Sequence, residues 1–449
     1  MARCPTRIPL NIYLNSRLVG RLRRAASGAI DFRYDEDWLG WKNAIPVSLS
    51  LPLREDRFIG APVIAVFDNL LPDNDAIRQR LAQRAQADGA DAYSLLAAIG
   101  RDCVGALQFL PESENPDAAG AISGRPIANA EIAAMLAELG RHPLGIDADH
   151  EFRISLAGAQ EKTALLYWKK RWHIPHGTTA TTHILKPQIG VLPNGIDLSN
   201  SVENEHLCLR LVGALGLPAA ASEIAEFEGR RVLVVERFDR RWTKDQRLLR
   251  LPQEDCCQAL SIPPTLKYEN DGGPGIRALL QLLQASDTAE ADQRVFMKAQ
   301  IVFWLLGATD GHAKNFSIFL ASGGRFRLTP LYDVMSTQPN VDAGEIRHNR
   351  MRMAMAVGQR RHYVVNTITP RHFLQTATLS GIPQRMVQDI FDELSNTALA
   401  AAESVLAELP DNFPDRMTQA IIAGMRTRLQ LFGMPRRNVT EAPSPRRIG

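Results

Sequence analysis

Apolar and polar positions follow two different periods along this chain, and the places where the period changes divide it. Between Ile8 and about Pro111, the runs IPLNIYLN and AIDFRY alternate with a period of two, whereas DNDAIRQRLAQRAQ has helical spacing. An α+β module is expected over residues 1–110. The stretch PESENPDAAGAISGRP, within 111–128, is rich in Pro, Gly, Ser and Ala and reads as a surface linker. ANAEIAAMLAEL is then a short amphipathic helix. The β-like runs FRISLAG, KTALLYW, THILKP and RRVLVVERF follow, with the helical SVENEHLCLRLVGALGL before the last. Residues 129–250 thus form a strand-rich lobe. Long apolar helical patterns, broken by NDGGPG at 270–275, predict a helix-rich lobe over 251–435. The end, MPRRNVTEAPSPRRIG, reads as a disordered basic tail over 436–449.

Composition narrows this only a little. With 449 residues the chain is long enough for two or three domains, and its formal net charge of +3 does not by itself announce a nucleic-acid binder. Its five cysteines are odd in number and show no C-x-x-C spacing, so zinc or redox chemistry is not indicated and a reducing compartment is the simpler home. The start, MARCPTRIPLNIYLNSR, lacks the apolar centre of a secretory signal, and no apolar run approaches the ~20 residues needed to cross a bilayer. A soluble cytoplasmic protein without a membrane partner is expected.

The sharpest chemical signal is IVFWLLGATDGHAKNFSI at 301–318. An apolar segment over 295–308 predicts a buried helix, and DGHAKN leaves its end as a loop carrying an acid, an imidazole, an amine and an amide. NFSIFL, the turn ASGG and RFRLTPLYD then read as a β-hairpin. A two-residue turn at Ser322-Gly323 or at Gly323-Gly324 sets Asn315 opposite Pro330 or Tyr332 respectively, and the second brings Asp333 close beside Asn315. An amide oxygen and a carboxylate so placed reach one hard cation, with Asp310 pointing into the same space. Two acids and an amide around Mg²⁺ are what phosphoryl transfer needs, and DGHAKN has the D-x-x-x-x-N spacing of a kinase catalytic loop.

Phosphoryl transfer also demands a nucleotide pocket upstream. SLAGAQEK (155–162) is expected as the turn of a strand-turn-strand, its small residues Ala157, Gly158 and Ala159 letting backbone N–H groups approach phosphate. Lys186, at the end of the strand THILK, is a candidate for meeting buried anions. Glu205 in the following helix is its candidate partner, with Glu203 almost as well placed. RRVLVVERFDR ends in Glu236, Arg237 and Phe238, where main-chain groups and an aromatic face suit adenine. The stretch IRHNRMRMAMAVGQRRHY (346–363) is basic and reads first as a solvated face.

Taken in order, ISLAGAQEKTALL, THILKP, VERFDRRW, RLPQEDCCQAL, KYENDGGPGI, WLLGATDGHAKNFSI and RLTPLYDVMS closely resemble the HipA family of bacterial toxin kinases. FDNLLPDN and IGRDCVGALQFLPE extend the match through the first module. The resemblance implies an α+β, bilobal protein-kinase-like fold with an added N-terminal subdomain, acting as a serine/threonine kinase toxin. It implies Asp310 as catalytic base and Asn315 and Asp333 as magnesium ligands. Ala157 to Lys162 (with Gln160 and Glu161 between) and Lys186 match phosphate contacts, and Glu236 to Phe238 the adenine hinge. His312, Ala313, Lys314, Asn315, Tyr332 and Asp333 match further ATP contacts, and Ser155 the autophosphorylated serine. A phosphate in a loop that must cradle phosphate would repel ATP. The implied cofactors are ATP and Mg²⁺. The implied partners are a small helix-turn-helix antitoxin (HipB-like), operator DNA mainly through that antitoxin, and an aminoacyl-tRNA synthetase substrate, of the glutamyl type. A lipid or small-molecule kinase, or a non-catalytic nucleotide-sensing co-repressor, are the rival expectations.

Overall fold

A computed structural model of the chain describes residues 9–139, 154–158 and 160–433; the expected tail at 436–449 and Ala159 lie outside the described residues. The N-terminal module is built on a five-stranded antiparallel sheet. Its strand order is Phe58–Ile59, Ile30–Tyr34, Arg17–Arg24, Leu10–Leu14 and Leu107–Pro111. Alternation turns Leu10, Ile12, Leu22 and Phe32 inward. Helices Ala61–Asp68, Asp75–Arg84 and Ala92–Ile99 accompany the sheet, the latter two opened by side-chain caps. Asn74 accepts from the N–H groups of Ala76 and Ile77, and Asp91 from that of Ser94.

The next lobe carries a six-stranded antiparallel sheet. Its order is Ser222–Phe227, Arg230–Glu236, His183–Pro187, Thr163–Trp168, Arg171–Pro175 and Gly124–Pro126. That last strand corrects the expected linker. Residues 124–126 complete a sheet edge against Arg171–Pro175, and the N–H of Ser123 and the carboxylate of Asp117 bind Thr179 and Thr178. A second expectation fails at 154–168. The segment before Thr163–Trp168 is no β-hairpin: Ile154 bridges Asp102 and Gly158 bridges Pro72, both in parallel and both in the N-terminal module. The sheet's apolar face is shared with that module, since Ile154, Leu165, Leu185 and Val234 belong to the same cluster as Phe32, Phe67 and Phe109. The module and the lobe are therefore parts of one core.

The helical lobe is organised around the helix Ala289–Leu306, whose run from Phe296 to Leu306 is buried almost without break. Gly307 stops it in the left-handed conformation (φ 67°), and a Cβ there would sit 2.4 Å from Met351 Cε. Helices Gln384–Ala407 and Asp415–Leu429 pack around it. The basic stretch folds in part as strands Arg352–Val357 and His362–Val364, with Met353, Met355 and Val357 turned inward.

Strands Gln253–Asp255, Ser317–Leu320 and Phe326–Leu328 form a small antiparallel sheet that carries the chemical loop. Its hairpin has neither expected register. Ile318 faces Leu328 and Leu320 faces Phe326, across a three-residue loop Ser322–Gly324 in which Gly323 (φ 76°) and Gly324 (φ 73°) are both left-handed. Two consecutive glycines make that longer reversal sterically free, and it displaces the pairing by one position from either two-residue turn. Asn315 consequently sits in a 3₁₀ turn before the strand, opposite neither Pro330 nor Tyr332.

A buried ionic joint locks the N-terminal module to the strand-rich lobe. Asp102 accepts from Arg237 (3.3 Å), Arg240 (2.9 Å) and Arg250 (2.9 Å), while Asp239 takes the other side of Arg237 (2.8 Å) and of Arg240 (3.1 Å). Burial opposes ionisation of Asp102, but the three guanidiniums hold its carboxyl well below the usual range. Asp102→Ala leaves three buried cations facing one carboxylate, so a loss of about 3–5 kcal/mol is expected. Denaturant unfolding checks this; a midpoint equal to that of the parent chain would show that the joint does not hold the module.

Candidate active site

The long helix ends at Gly307, and Thr309 and Asp310 emerge from it into a cleft. The Asp310 carbonyl accepts from the N–H of His312 and from Asn315 Nδ2, both at 2.8 Å, so the loop closes on itself and the Asn315 amide is fixed. The Asp310 carboxylate accepts from the Tyr268 hydroxyl (2.7 Å) and remains 61% exposed. Partial burial in the cleft pushes its pKa up to about 6; Asp333 adds to the rise and Tyr268 opposes it. His312 is buried edge-on to Tyr268 and, desolvated, falls to about 4, so it is a neutral imidazole at pH 7.

Lys186 is the centre of the cleft. Buried near the end of strand His183–Pro187, it bonds Glu205 Oε1 at 2.7 Å and Asp333 Oδ1 at 2.9 Å. Of the two glutamates open from the sequence, Glu205 is the partner, because Glu203 is taken by Arg231 (2.7 Å) and Gln188 (2.7 Å). Burial would lower the Lys186 pKa, yet the two carboxylates hold it above the ordinary lysine value. Conversely burial would raise Asp333, and Lys186 with Lys162 holds it well below the ordinary carboxylate value. Glu205, deeper in the core, is raised by desolvation. Asp333 has φ 58°, a strained backbone for a non-glycine residue, of the kind that gathers at working sites. Tyr332 fixes the approach to it: its hydroxyl is 2.6 Å from Ser317 Oγ and donates to the Lys314 carbonyl at 3.0 Å.

The small-residue turn faces these groups. Gly158 has φ 108°, a backbone that residues with a side chain rarely adopt, and a Cβ there would sit 2.6 Å from Lys162 Nζ and push that amine aside. Lys162 is buried; desolvation and the amine of Lys186 bring its pKa down to about 8. Gln160 donates to the Pro187 carbonyl (3.2 Å), and Glu161 pairs with Arg80 (2.7 Å). Ser155 is fully buried and its hydroxyl donates to the Leu70 carbonyl at 2.8 Å, so it faces the N-terminal module.

At the other end, the Phe238 ring lies 5.7 Å from that of Tyr332, beside Ile184 and Val235. Arg237 offers only main chain there, its guanidinium being spent in the ionic joint. All these walls enclose one cavity of about 530 Å³, into which Ala157, Glu236, Lys314, Asn315 and Asp310 also face. Ala313 is buried beneath the loop and is no part of the wall. Among the polar wall residues that escaped sequence reasoning are Asp73, Asp255, Lys267 and Gln258. FDNLLPDN had marked the Asp73 segment, but nothing local in it points to a loop 241 residues away.

The donors fit a hard cation held with a phosphate. Asp333 is ionised and shares the cavity with the Asn315 amide, and among the described residues no three His, Cys, Asp or Glu side chains converge as a closed cage. Mg²⁺ is usually held in this way, by one or two protein groups plus phosphate and water.

Family models match in two places: the HipA-like C-terminal domain over residues 154–402, and the HipA N-terminal domain over 10–110. A putative kinase, Y4mE, of Sinorhizobium fredii is 37% identical over 412 residues, 90% of this chain and 94% of the relative. The serine/threonine-protein kinase toxin HipA of Shewanella oneidensis is 28% identical over 421 residues, 90% of each chain. A solved structure of the Shewanella oneidensis HipA, HipB and operator DNA complex superposes with a TM-score of 0.77 at 24% identity, covering 94% of this chain and 96% of its counterpart.

Because a donated hydrogen bond favours the ionised carboxylate, Tyr268→Phe should move the Asp310 titration upward from about 6. Asp310 is then ionised above that midpoint and protonated below it. Carboxyl-carbon NMR of aspartate-labelled protein, assigned with Asp310→Asn, checks this; a midpoint near the ordinary value of about 4 in both proteins would contradict it.

Proposed function

Since the chain belongs to the HipA family and has its kinase-like α+β fold, we propose that it is an ATP-dependent serine/threonine protein kinase acting as the toxin of a toxin–antitoxin pair. One observation carries this most: Lys186 is held between Glu205 and Asp333 in the same cavity that receives Asp310 and Asn315. An amine, a carboxylate fixed in a strained backbone and a second, half-open carboxylate are separate parts of phosphoryl transfer.

In this proposal the adenine lies between Phe238 and the Glu236–Phe238 main chain. Lys186 and Lys162 meet the phosphates, and the Gly158 turn covers them. Asn315 and Asp333 would hold Mg²⁺, which supplies charge neutralisation on the phosphate oxygens. Asp310 accepts the proton of an acceptor hydroxyl as its oxygen bonds to the γ-phosphorus, while the bond from that phosphorus to the bridging oxygen breaks and ADP leaves. A pKa of about 6 suits a base working near neutrality.

The acceptor is a protein, for which the resemblance favours an aminoacyl-tRNA synthetase, the glutamyl enzyme first. A DNA-binding antitoxin is the expected neutralising partner, supported by the assembly of the related HipA with HipB and operator DNA. Ser155 is the proposed self-modified residue. A dianionic phosphate has no place against the Leu70 carbonyl, so the modification would force the turn off the N-terminal module and stop activity.

Purified chain incubated with γ-labelled ATP, Mg²⁺ and cell lysate should label a protein band. Asp310→Asn should cut that labelling by roughly 10²-fold or more with the fold retained. Undiminished labelling by that variant would remove Asp310 from the mechanism.

A further inference from the structure

The N-terminal module does more than prop the cleft from outside: it inserts a carboxylate. Asp73 directly precedes Asn74, the cap of helix Asp75–Arg84, so its backbone is fixed by a helix start. Its N–H donates to the Gly158 carbonyl at 3.1 Å, tying it to the phosphate-facing turn. Its carboxylate crosses to the helical lobe, where Oδ2 takes Lys267 Nζ (2.7 Å) and Oδ1 takes Lys314 Nζ. All three side chains are largely buried and line the same cavity. Lys314 lies between Asp310 and Asn315, and Lys267 precedes Tyr268, the donor to Asp310.

Two buried amines in a cleft full of carboxylates will pair with whichever acid is nearest. Lys267 adjoins Tyr268, which bonds Asp310 at 2.7 Å, so without Asp73 the acid within reach of Lys267 is Asp310, and that within reach of Lys314 is Asp255. An amine that closes onto Asp310 would block the proton acceptor. We propose that Asp73 is a positioning residue for phosphoryl transfer, holding Lys267 away from Asp310 and keeping Lys314 off Asp255 so that it faces the terminal phosphate. It makes the N-terminal module a working part of the site, because one residue fixes the phosphate turn through its backbone and two lysines of the opposite lobe through its side chain. This rests on the kinase proposal.

The test uses the full chain and three variants: Asp73→Asn, Lys267→Met and the two combined. Each is assayed for kcat and KM toward Mg·ATP, with melting temperature and circular dichroism recorded in parallel. Asp73→Asn should lower kcat by about 10²-fold, the cost of a misplaced catalytic group, with a smaller change in KM. The combined variant should recover a substantial part of that loss, because the surplus amine is gone. Rescue of this kind is not expected of a side chain that merely supports the fold. A combined variant as slow as Asp73→Asn or slower, or an Asp73→Asn chain with parental kcat, overturns the assignment while leaving the kinase proposal standing. A parental chain that transfers no phosphate to any protein sinks both.

Discussion

A single buried amine organises this molecule. Lys186 comes from the antiparallel sheet, Glu205 from the helix that follows and Asp333 from the far lobe, so one cation joins three elements that share no local contact in sequence. Removing an ammonium group from water costs several kcal/mol, and only paired, hydrogen-bonded carboxylates offset it. The two acids are not equivalent. Glu205 lies deep, and burial raises its pKa, whereas Asp333 is 39% exposed toward the cavity and is held ionised by Lys186 and Lys162. The deep acid positions the amine and the shallow one opens on the cavity. The left-handed backbone at Asp333 is tolerated because this ion pair and the Tyr332 hydrogen bonds hold the segment in place.

The N-terminal module enters the same logic through its contacts. It shares a hydrophobic core with the strand-rich lobe, is bolted to it by the Asp102 joint, and pairs its own backbone with the turn at Ile154 and Gly158. A small-residue turn that would otherwise hang freely over the cavity is thereby pinned along one side. Cavity wall and core are coupled here, since the contacts that bury Ser155 and anchor Gly158 also complete the core.

How far the sequence reveals this depends on the range of the interaction. The buried helix before Asp310 and the strand carrying Lys186 are local patterns, and both are present, the helix running Ala289–Leu306 rather than the expected 295–308. The hairpin after Asn315 is also local, yet its register differs from both expected ones, because two adjacent glycines permit a three-residue loop that a count of turn residues does not distinguish. The turn at Gly158 departs from the expected strand-turn-strand for a different reason. Its pairing partners lie in another module, and alternation of side chains reports burial but not the identity of the neighbouring strand. Arg237 shows the same limit: its position was expected at the adenine end, but its charge is consumed by Asp102 and Asp239, acids that no periodicity connects to it.

The organising role of Lys186 is tested most directly by a crystal structure of the chain with Mg²⁺ and a non-hydrolysable ATP analogue. Lys186 should remain bonded to Glu205 and reach the analogue's phosphates, with Asp333 and Asn315 contacting one shared ion and the base against Phe238. Nucleotide bound outside this cavity, or within it with Lys186 still closed on Asp333 and touching no phosphate, would contradict the assignment of the cleft.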